Sequence, residues 1–205
     1  MEKLRNRILE ISYRRKLSHV GSCLSTLPIL VEIYSEKNEE DAVVLSNGHA
    51  GLAQYVILEE LYGFNPEHML EDFGVHPSRD LERKIEVSSG SLGCGIGISV
   101  GMALANKNRN VYCVISDGEC AEGLVWESLA FAHINKLNNL KVYVNINGHG
   151  AYCDIDKNYL KERLRSFLPS INIRETYSGF LNVSGIDSHY KTISKEDYEN
   201  VKRAK

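Results

Sequence analysis

Apolar positions along the chain change their spacing several times, and each change marks an element. Leu4, Ile8 and Ile11 recur at helical intervals, so residues 2 to 16 read as an amphipathic helix that ends before Leu17-Ser18-His19-Val20-Gly21. A second helix is expected next, with Ser25 or Thr26 as its cap, Pro28 in its first turn, and Leu27, Leu30, Val31 and Tyr34 turned inward. Residues 42 to 45 form a short, wholly apolar strand that stops at Ser46-Asn47-Gly48-His49, after which a helix resumes through Leu61. Residues 63 to 90 read as a long loop region holding His76-Pro77. Gly90, Gly93, Gly95, Gly97 and Gly101 are then interleaved with Ile and Val up to Ala105. Small residues on a helix let another backbone or a flat ligand approach closely.

The clearest pattern follows. Val111 to Ile115 and Lys141 to Ile146 are apolar, β-rich runs flanking a helix placed between Glu122 and Leu137. This is a βαβ unit, so its strands are expected to be parallel and its crossover right-handed. The alternation of strands and helices predicts an α/β fold, a parallel sheet with helices on both faces, within a single domain spanning residues 1 to 205. One more helix is expected over residues 154 to 168, broken by Pro169, and residues 170 to 193 show no clear period. Ser194-Lys195-Glu196-Asp197 resembles a capping box, with Asp in the acidic place, opening a final helix.

Composition narrows the function. An apolar content of 43% with 25% charged residues is that of a globular domain with a real core. Lys and Arg number 24 against 27 Asp and Glu, a net charge of -3, which offers no electrostatic reason to expect nucleic acid or an anionic membrane as partner. The longest apolar stretch, Ile96 to Ala105, is interrupted by glycines and falls short of the ~20 residues of a membrane-spanning helix, so no membrane partner is expected. The five cysteines (Cys23, Cys94, Cys113, Cys120, Cys153) are odd in number and form no C-x-x-C. Met1 to Arg7 leads into charged residues without an apolar leader core, and together these features predict a reducing, cytoplasmic setting.

In an open parallel sheet, ligands bind beyond the carboxyl ends of the strands. That rule selects Ser116-Asp117-Gly118-Glu119 and Asn147-Gly148-His149-Gly150. Asp117 and Asn147 lie thirty residues apart, one βαβ repeat, and so should emerge side by side. They offer a carboxylate, an amide oxygen and nearby backbone carbonyls, a hard donor set that suits Mg²⁺ or Ca²⁺ completed by phosphate oxygens. The helix starting near Glu122 is expected to aim its N-terminus at the same place. On spacing alone, Asp117-Gly118 and Asn147-Gly148 read equally well as two ordinary turns. No P-loop, no G-x-G-x-x-G in register and no zinc spacing occurs. His19, His49 and His76 each sit in a loop marked by Gly or Pro, where imidazoles can donate to hydroxyls or phosphate and exchange protons near neutral pH. His68 and His133 read as ordinary surface residues.

The run from Ser116 to Glu127, followed by Ala130, Ala132, Leu137, Asn139, Leu140 and Asn147, resembles the thiamine diphosphate motif of transketolases. The family pattern is Gly-Asp-Gly, then Glu-Gly and Glu, then Asn about thirty residues on. Three further stretches agree in order: Ser18-His19-Val20-Gly21, Leu45-Ser46-Asn47-Gly48-His49-Ala50, and His76-Pro77 with Glu86-Val87-Ser88-Ser89-Gly90-Ser91-Leu92-Gly93. Two departures are Ser116 in place of the first glycine and Asn145 where an Asp is frequent. The chain looks like the N-terminal, diphosphate-binding part of a transketolase, with the thiamine diphosphate-binding fold and a shortened C-terminal region.

That resemblance implies thiamine diphosphate and Mg²⁺ (or Ca²⁺) as cofactors. It implies Asp117, Asn147 and the His149 backbone carbonyl as metal ligands, and Gly118 as the point where the backbone approaches the diphosphate. His49, Gly90, Leu92 and Glu122 are further cofactor contacts by the same likeness, and His19, His49, His76 and His189 are the catalytic histidines, His189 lying in Gly185-Ile186-Asp187-Ser188-His189. The implied reaction moves a two-carbon ketol unit from a ketose to an aldose. The implied partner is a second transketolase subunit carrying the pyrimidine-binding and C-terminal domains, in an α2β2 assembly, with sugars as substrates. Two other readings keep part of this picture: the α-type subunit of a 2-oxoacid decarboxylating enzyme, and a non-catalytic binding subunit. The first shares a metal motif of similar spacing but lacks Ser-Asn-Gly-His-Ala and the early His-x-Gly.

Overall fold

Residues alternate along the strands between two separate cores, and this sidedness organises the whole structure. The computed structural model describes residues 1–150, 153, 155–177 and 190–203. Among them, β1 (Ala42–Leu45), β2 (Val111–Ser116), β3 (Leu140–Ile146) and β4 (Asn172–Glu175) pair in that order as a parallel sheet. Val44, Val111, Cys113, Ile115, Val142 and Val144 face one core, completed by α5 (Cys94–Ala105), α6 (Gly123–Ile134) and α7 (Lys157–Phe167). Val43, Leu45, Tyr112, Val114 and Tyr143 face the other, completed by α1 (Glu2–Arg15), α2 (Val20–Glu36) and α3 (Gly51–Tyr62). The period of two in a strand thus becomes a sheet buried on both faces, the expected α/β architecture. No helix among the described residues is long and apolar enough to cross a membrane.

Several expectations need correction. Helix α2 begins at Val20, not near Thr26, so Pro28 lies inside it and Ser25 and Thr26 are not caps. Their hydroxyls are buried and bonded to asparagines at the ends of β1 and β3, and that tertiary use outweighs their local preference for a helix start. The expected loop of residues 63 to 90 contains helix α4 (Pro66–Phe73), with Asn65 Oδ1 accepting the Glu67 N–H and Pro66 in the first turn. A 3₁₀ turn over Gly118–Ala121 separates β2 from α6, an element the sequence did not announce, while α6 itself begins at Gly123 with Glu122 in the N-cap position, where its start was expected. Strand β4 lies in the stretch that showed no period. It is a four-residue edge strand, Asn-Ile-Arg-Glu, with one apolar position, too short and too polar to announce itself in the sequence pattern.

The final helix, α8 (Lys195–Arg203), opens with the capping box read from the sequence. The Ser194 N–H donates to Asp197 Oδ2 at 3.0 Å, and the Asp197 N–H donates to Ser194 Oγ at 3.1 Å. Ile193 and Tyr198 carry this end of the chain into the core of α1 to α3, and Tyr198 stacks on Tyr13 with ring centroids 4.6 Å apart.

The small residues of α5 serve the close approach predicted for them. A Cβ added at Gly95 would stand 2.6 Å from the Ser46 Cα, so the helix rests directly on the backbone that leaves β1. Gly95→Ala is expected to force α5 off that backbone and cost about 1–3 kcal/mol, read as a lower thermal midpoint. An unchanged midpoint would show that the contact is loose.

Candidate functional site

Beyond the carboxyl ends of β1, β2 and β3 lies a cavity of about 400 Å³, a volume within the usual range of small-molecule sites. Its lining comprises His19, Ser22, His49, His76, Gly90, Leu92, Ser116, Asp117, Gly118, Asn147, His149 and Tyr190. Residues far apart in sequence are therefore delivered to one place by the strand ends and by the start of α2. His19, at the entry to α2, adopts a left-handed backbone with φ 58°, and its ring lies 5.2 Å from that of His49 and 5.6 Å from that of Tyr190. Gly90 has φ 142°, and a Cβ there would stand 3.1 Å from the His76 ring, so the imidazole occupies the space a side chain would fill.

The pairing of β2 with β3 sets Asp117 beside Asn147. Ser116 pairs with Asn145, and the Asp117 N–H extends the ladder by donating to the Asn145 carbonyl at 3.0 Å. Asp117 Oδ2 then accepts the Gly148 N–H at 2.7 Å, tying the two loop tips together, while Oδ1 accepts the Gly118 N–H at 3.1 Å. The Asp117 side chain is almost fully buried, and that burial pushes its carboxyl up to about 6 against the pull of these N–H groups. Asn147 Oδ1 accepts the His149 N–H at 2.9 Å, and its Nδ2 donates to Ser25 Oγ at 3.2 Å. Each of these acceptor oxygens keeps a second lone pair for a cation. The donor set is hard and oxygen-based, and it fits Mg²⁺ or Ca²⁺ completed by phosphate oxygens.

Behind the loops lies a buried polar layer. Asn145 Nδ2 donates to Ser25 Oγ at 3.0 Å and to Thr26 Oγ1 at 3.1 Å, and Asn47 Nδ2 donates to the same Thr26 oxygen at 3.0 Å. The Asn145 amide donates to these hydroxyls, where the aspartate frequent in the family pattern could only accept from them. Glu119, two residues after Asp117 in the same turn, is wholly buried. Its Oε1 accepts the Ser46 hydroxyl at 2.6 Å and the Gly93 N–H at 2.9 Å, and its Oε2 accepts the Ser116 N–H at 2.9 Å. Burial pushes this carboxyl up as well.

Of the residues singled out from sequence, His19, His49, His76, Gly90, Leu92, Asp117, Gly118, Asn147 and His149 all line the one cavity. Glu122 does not line it. It stands at the N-cap position of α6, its side chain making no capping bond, with its Cβ 3.1 Å from where a Gly93 Cβ would be. His189 lies outside the described residues. Sequence reasoning missed Ser22, Tyr190 and Glu119. Ser22 follows His19 by three residues, the spacing that puts two side chains on one helix face, so it was open to inference. Nothing local marks Tyr190, which follows β4 in the chain and lines the cavity from a segment distant in sequence.

Comparison with known proteins now bears on this geometry. Residues 34–164 match the family model described as transketolase, thiamine diphosphate binding domain. The chain belongs to this family. It is 34% identical to transketolase of Pongo abelii over 154 residues, which cover 64% of this chain and 24% of that protein. It therefore spans about a quarter of the length of the first curated relatives it matches. The 6-deoxy-6-sulfo-D-fructose transketolase subunit SqwG of Clostridium sp. (strain MSTE9) is 30% identical over 98% of this chain and 78% of its own length. An apulose-4-phosphate transketolase subunit of Phocaeicola vulgatus is 33% identical over 71% of this chain and 59% of its own length. Among solved structures, transketolase from Leishmania mexicana shares the fold with a TM-score of 0.77 at 21% identity, over 99% of this chain and 41% of that one.

The polar layer gives a direct test. Ser25→Ala removes the oxygen that accepts from both Asn145 and Asn147, and it is expected to cost about 1–3 kcal/mol in urea unfolding. A change within error would mean the two asparagines find other partners.

Proposed function

We propose that this chain is the diphosphate-binding subunit of a two-chain transketolase, holding thiamine diphosphate through a divalent cation and moving a ketol unit from a ketose to an aldose. The observation that carries this reading is the single cavity in which Asp117 and Asn147 meet three loop histidines. The names of two relatives, each a transketolase subunit, support it. Asp117, Asn147 and the His149 carbonyl would hold Mg²⁺ (or Ca²⁺), and Gly118 leaves room for the diphosphate against the backbone. Gly90 and Leu92 would flank the organic part of the cofactor. Bound thiamine diphosphate supplies the nucleophilic carbon and the electron sink needed to break a ketose C2–C3 bond.

The chain's own groups handle substrate protons. His19, His49 and His76 line one wall region at the loop tips, where an imidazole can donate to a sugar hydroxyl or accept its proton near neutral pH. Tyr190 adds a phenol beside His19. His189 is a fourth histidine proposed for the substrate side. Glu122, at the start of α6, is proposed to act on the cofactor site from behind Gly93. A second subunit, with the pyrimidine-binding domain, would close the cavity in an α2β2 assembly. Exposed apolar side chains on the packed helices α5 and α6, Ile98, Leu124, Phe131 and Ile134, suit burial against such a chain. We place the assembly in the cytoplasm.

Two measurements test the reading. The purified chain alone is expected to show no ketol transfer, and adding the second subunit with thiamine diphosphate and Mg²⁺ is expected to restore it on a ketose donor. Release of CO₂ from pyruvate by the pair, without transfer from ketoses, would overturn the assignment. Asp117→Asn is expected to weaken cofactor uptake at limiting Mg²⁺ by at least tenfold, since a charge-assisted metal ligand is lost. Unchanged uptake would show that Asp117 is not a ligand.

A further inference from the structure

Glu119 has no part in the contacts proposed above, yet its carboxylate joins three segments that build the cavity. Ser46 follows β1, Ser116 ends β2 next to Asp117, and Gly93 follows Leu92. Two of its partners thus belong to or adjoin the cavity lining on two different loops, Ser116 beside Asp117 and Gly93 beside Leu92. We infer that Glu119 is a positioning residue for the cofactor, setting the distance between the loop that would hold the diphosphate and the loop that would flank the organic rings. This inference rests on the proposed function.

Three features favour a positional role over simple packing. The side chain is wholly buried, and the donors it meets are neutral hydroxyl and backbone groups, an expensive arrangement for a carboxylate that serves only to fill space. A carboxylate is also the group the geometry demands, because both oxygens accept and neither can donate. In Glu119→Gln the amide must point one way or the other. On the Oε1 side it confronts the Gly93 N–H, and on the Oε2 side it confronts the Ser116 N–H, so either orientation sets a donor against a backbone donor. Finally, Glu119 lies two residues after Asp117 in the same turn, so a shift of this tether moves the proposed ligand itself. Misplacement of a ligand by a fraction of an ångström is enough to weaken a metal-bridged site.

The test uses the full chain, with its second subunit present where uptake requires it, and titrates thiamine diphosphate at saturating Mg²⁺ by calorimetry. Glu119→Gln is expected to raise the cofactor Kd about tenfold or more. Ile8→Ala, on the buried face of α1, serves as a destabilised control and is expected to keep the wild-type Kd at temperatures where it is folded. Ser46→Ala removes one of the three tethers and is expected to give a smaller rise, which keeps the test available should the Gln variant fail to fold. Wild-type affinity in both tether variants overturns the inference, as does an equal loss in Ile8→Ala. Amide exchange in the cofactor-free chain reads the tether without the cofactor. The Gly93 and Ser116 amides are expected to exchange faster in Glu119→Gln, and unchanged protection there overturns the inference even where cofactor uptake stands. A wild-type chain that takes up no thiamine diphosphate under these conditions overturns the cofactor reading and this inference with it, while normal uptake by wild type and Gln variant alike removes only the latter.

Discussion

The parallel pairing of β2 with β3, in the register that sets Ser116 opposite Asn145, is the constraint on which the site depends. Parallel strands end side by side, so the residues that follow them leave the sheet together. The Asp117 N–H bond to the Asn145 carbonyl carries the ladder one step beyond β2, and the Gly148 N–H bond to the Asp117 carboxylate then locks the two tips. A slip of one residue would turn Asp117 away from Asn147 and would also exchange the two core faces of the strand. The packing of two hydrophobic cores against alternate side chains is therefore what holds the proposed ligands in place.

Polar groups at this end of the sheet are buried without cationic partners in the contacts they make. Asp117 and Glu119 both accept N–H or O–H groups from the loop tips, and burial raises both carboxyl groups above their ordinary range. A site evolved only for stability would place apolar side chains here. The deeper layer of Asn47, Asn145, Ser25 and Thr26 satisfies most of its hydrogen-bonding capacity internally, which makes the floor of the cavity rigid. Preformed loop tips on a rigid floor let a metal-bridged ligand bind without reordering the chain.

The C-terminal part of the described chain is fastened by contacts with segments distant in sequence. Strand β4 pairs with β3, and Arg174 binds Glu32 on α2 while lying over the Tyr143 ring. The Arg174 side chain thereby links the sheet edge to the helix whose start carries His19. Ile193 and Tyr198 then dock on the core of α1 to α3, which returns Tyr190 to the rim of the cavity. His19 from near the start of the described chain and Tyr190 from near its end thus meet at the cavity.

Much of this was readable from the amino-acid sequence, because it depends on local period and local chemistry. The strands at 42, 111 and 140, the amphipathic first helix, the final capping box and the glycine face of α5 follow from alternation, capping and size. Asp117 and Asn147 were open to inference for the same reason, since one βαβ repeat separates them. What tertiary structure alone decided involves partners distant in sequence. Ser25 and Thr26 look like helix caps until Asn47 and Asn145 are placed beside them, and β4, four residues with one apolar position, is too short and too polar to stand out. Glu119 stands in a loop that the strand-end rule selects but has no role legible from the sequence, and only the meeting of three separated segments shows that its side chain points inward. Local propensity is a weak energy per residue, and burial with specific hydrogen bonds outweighs it wherever distant segments converge.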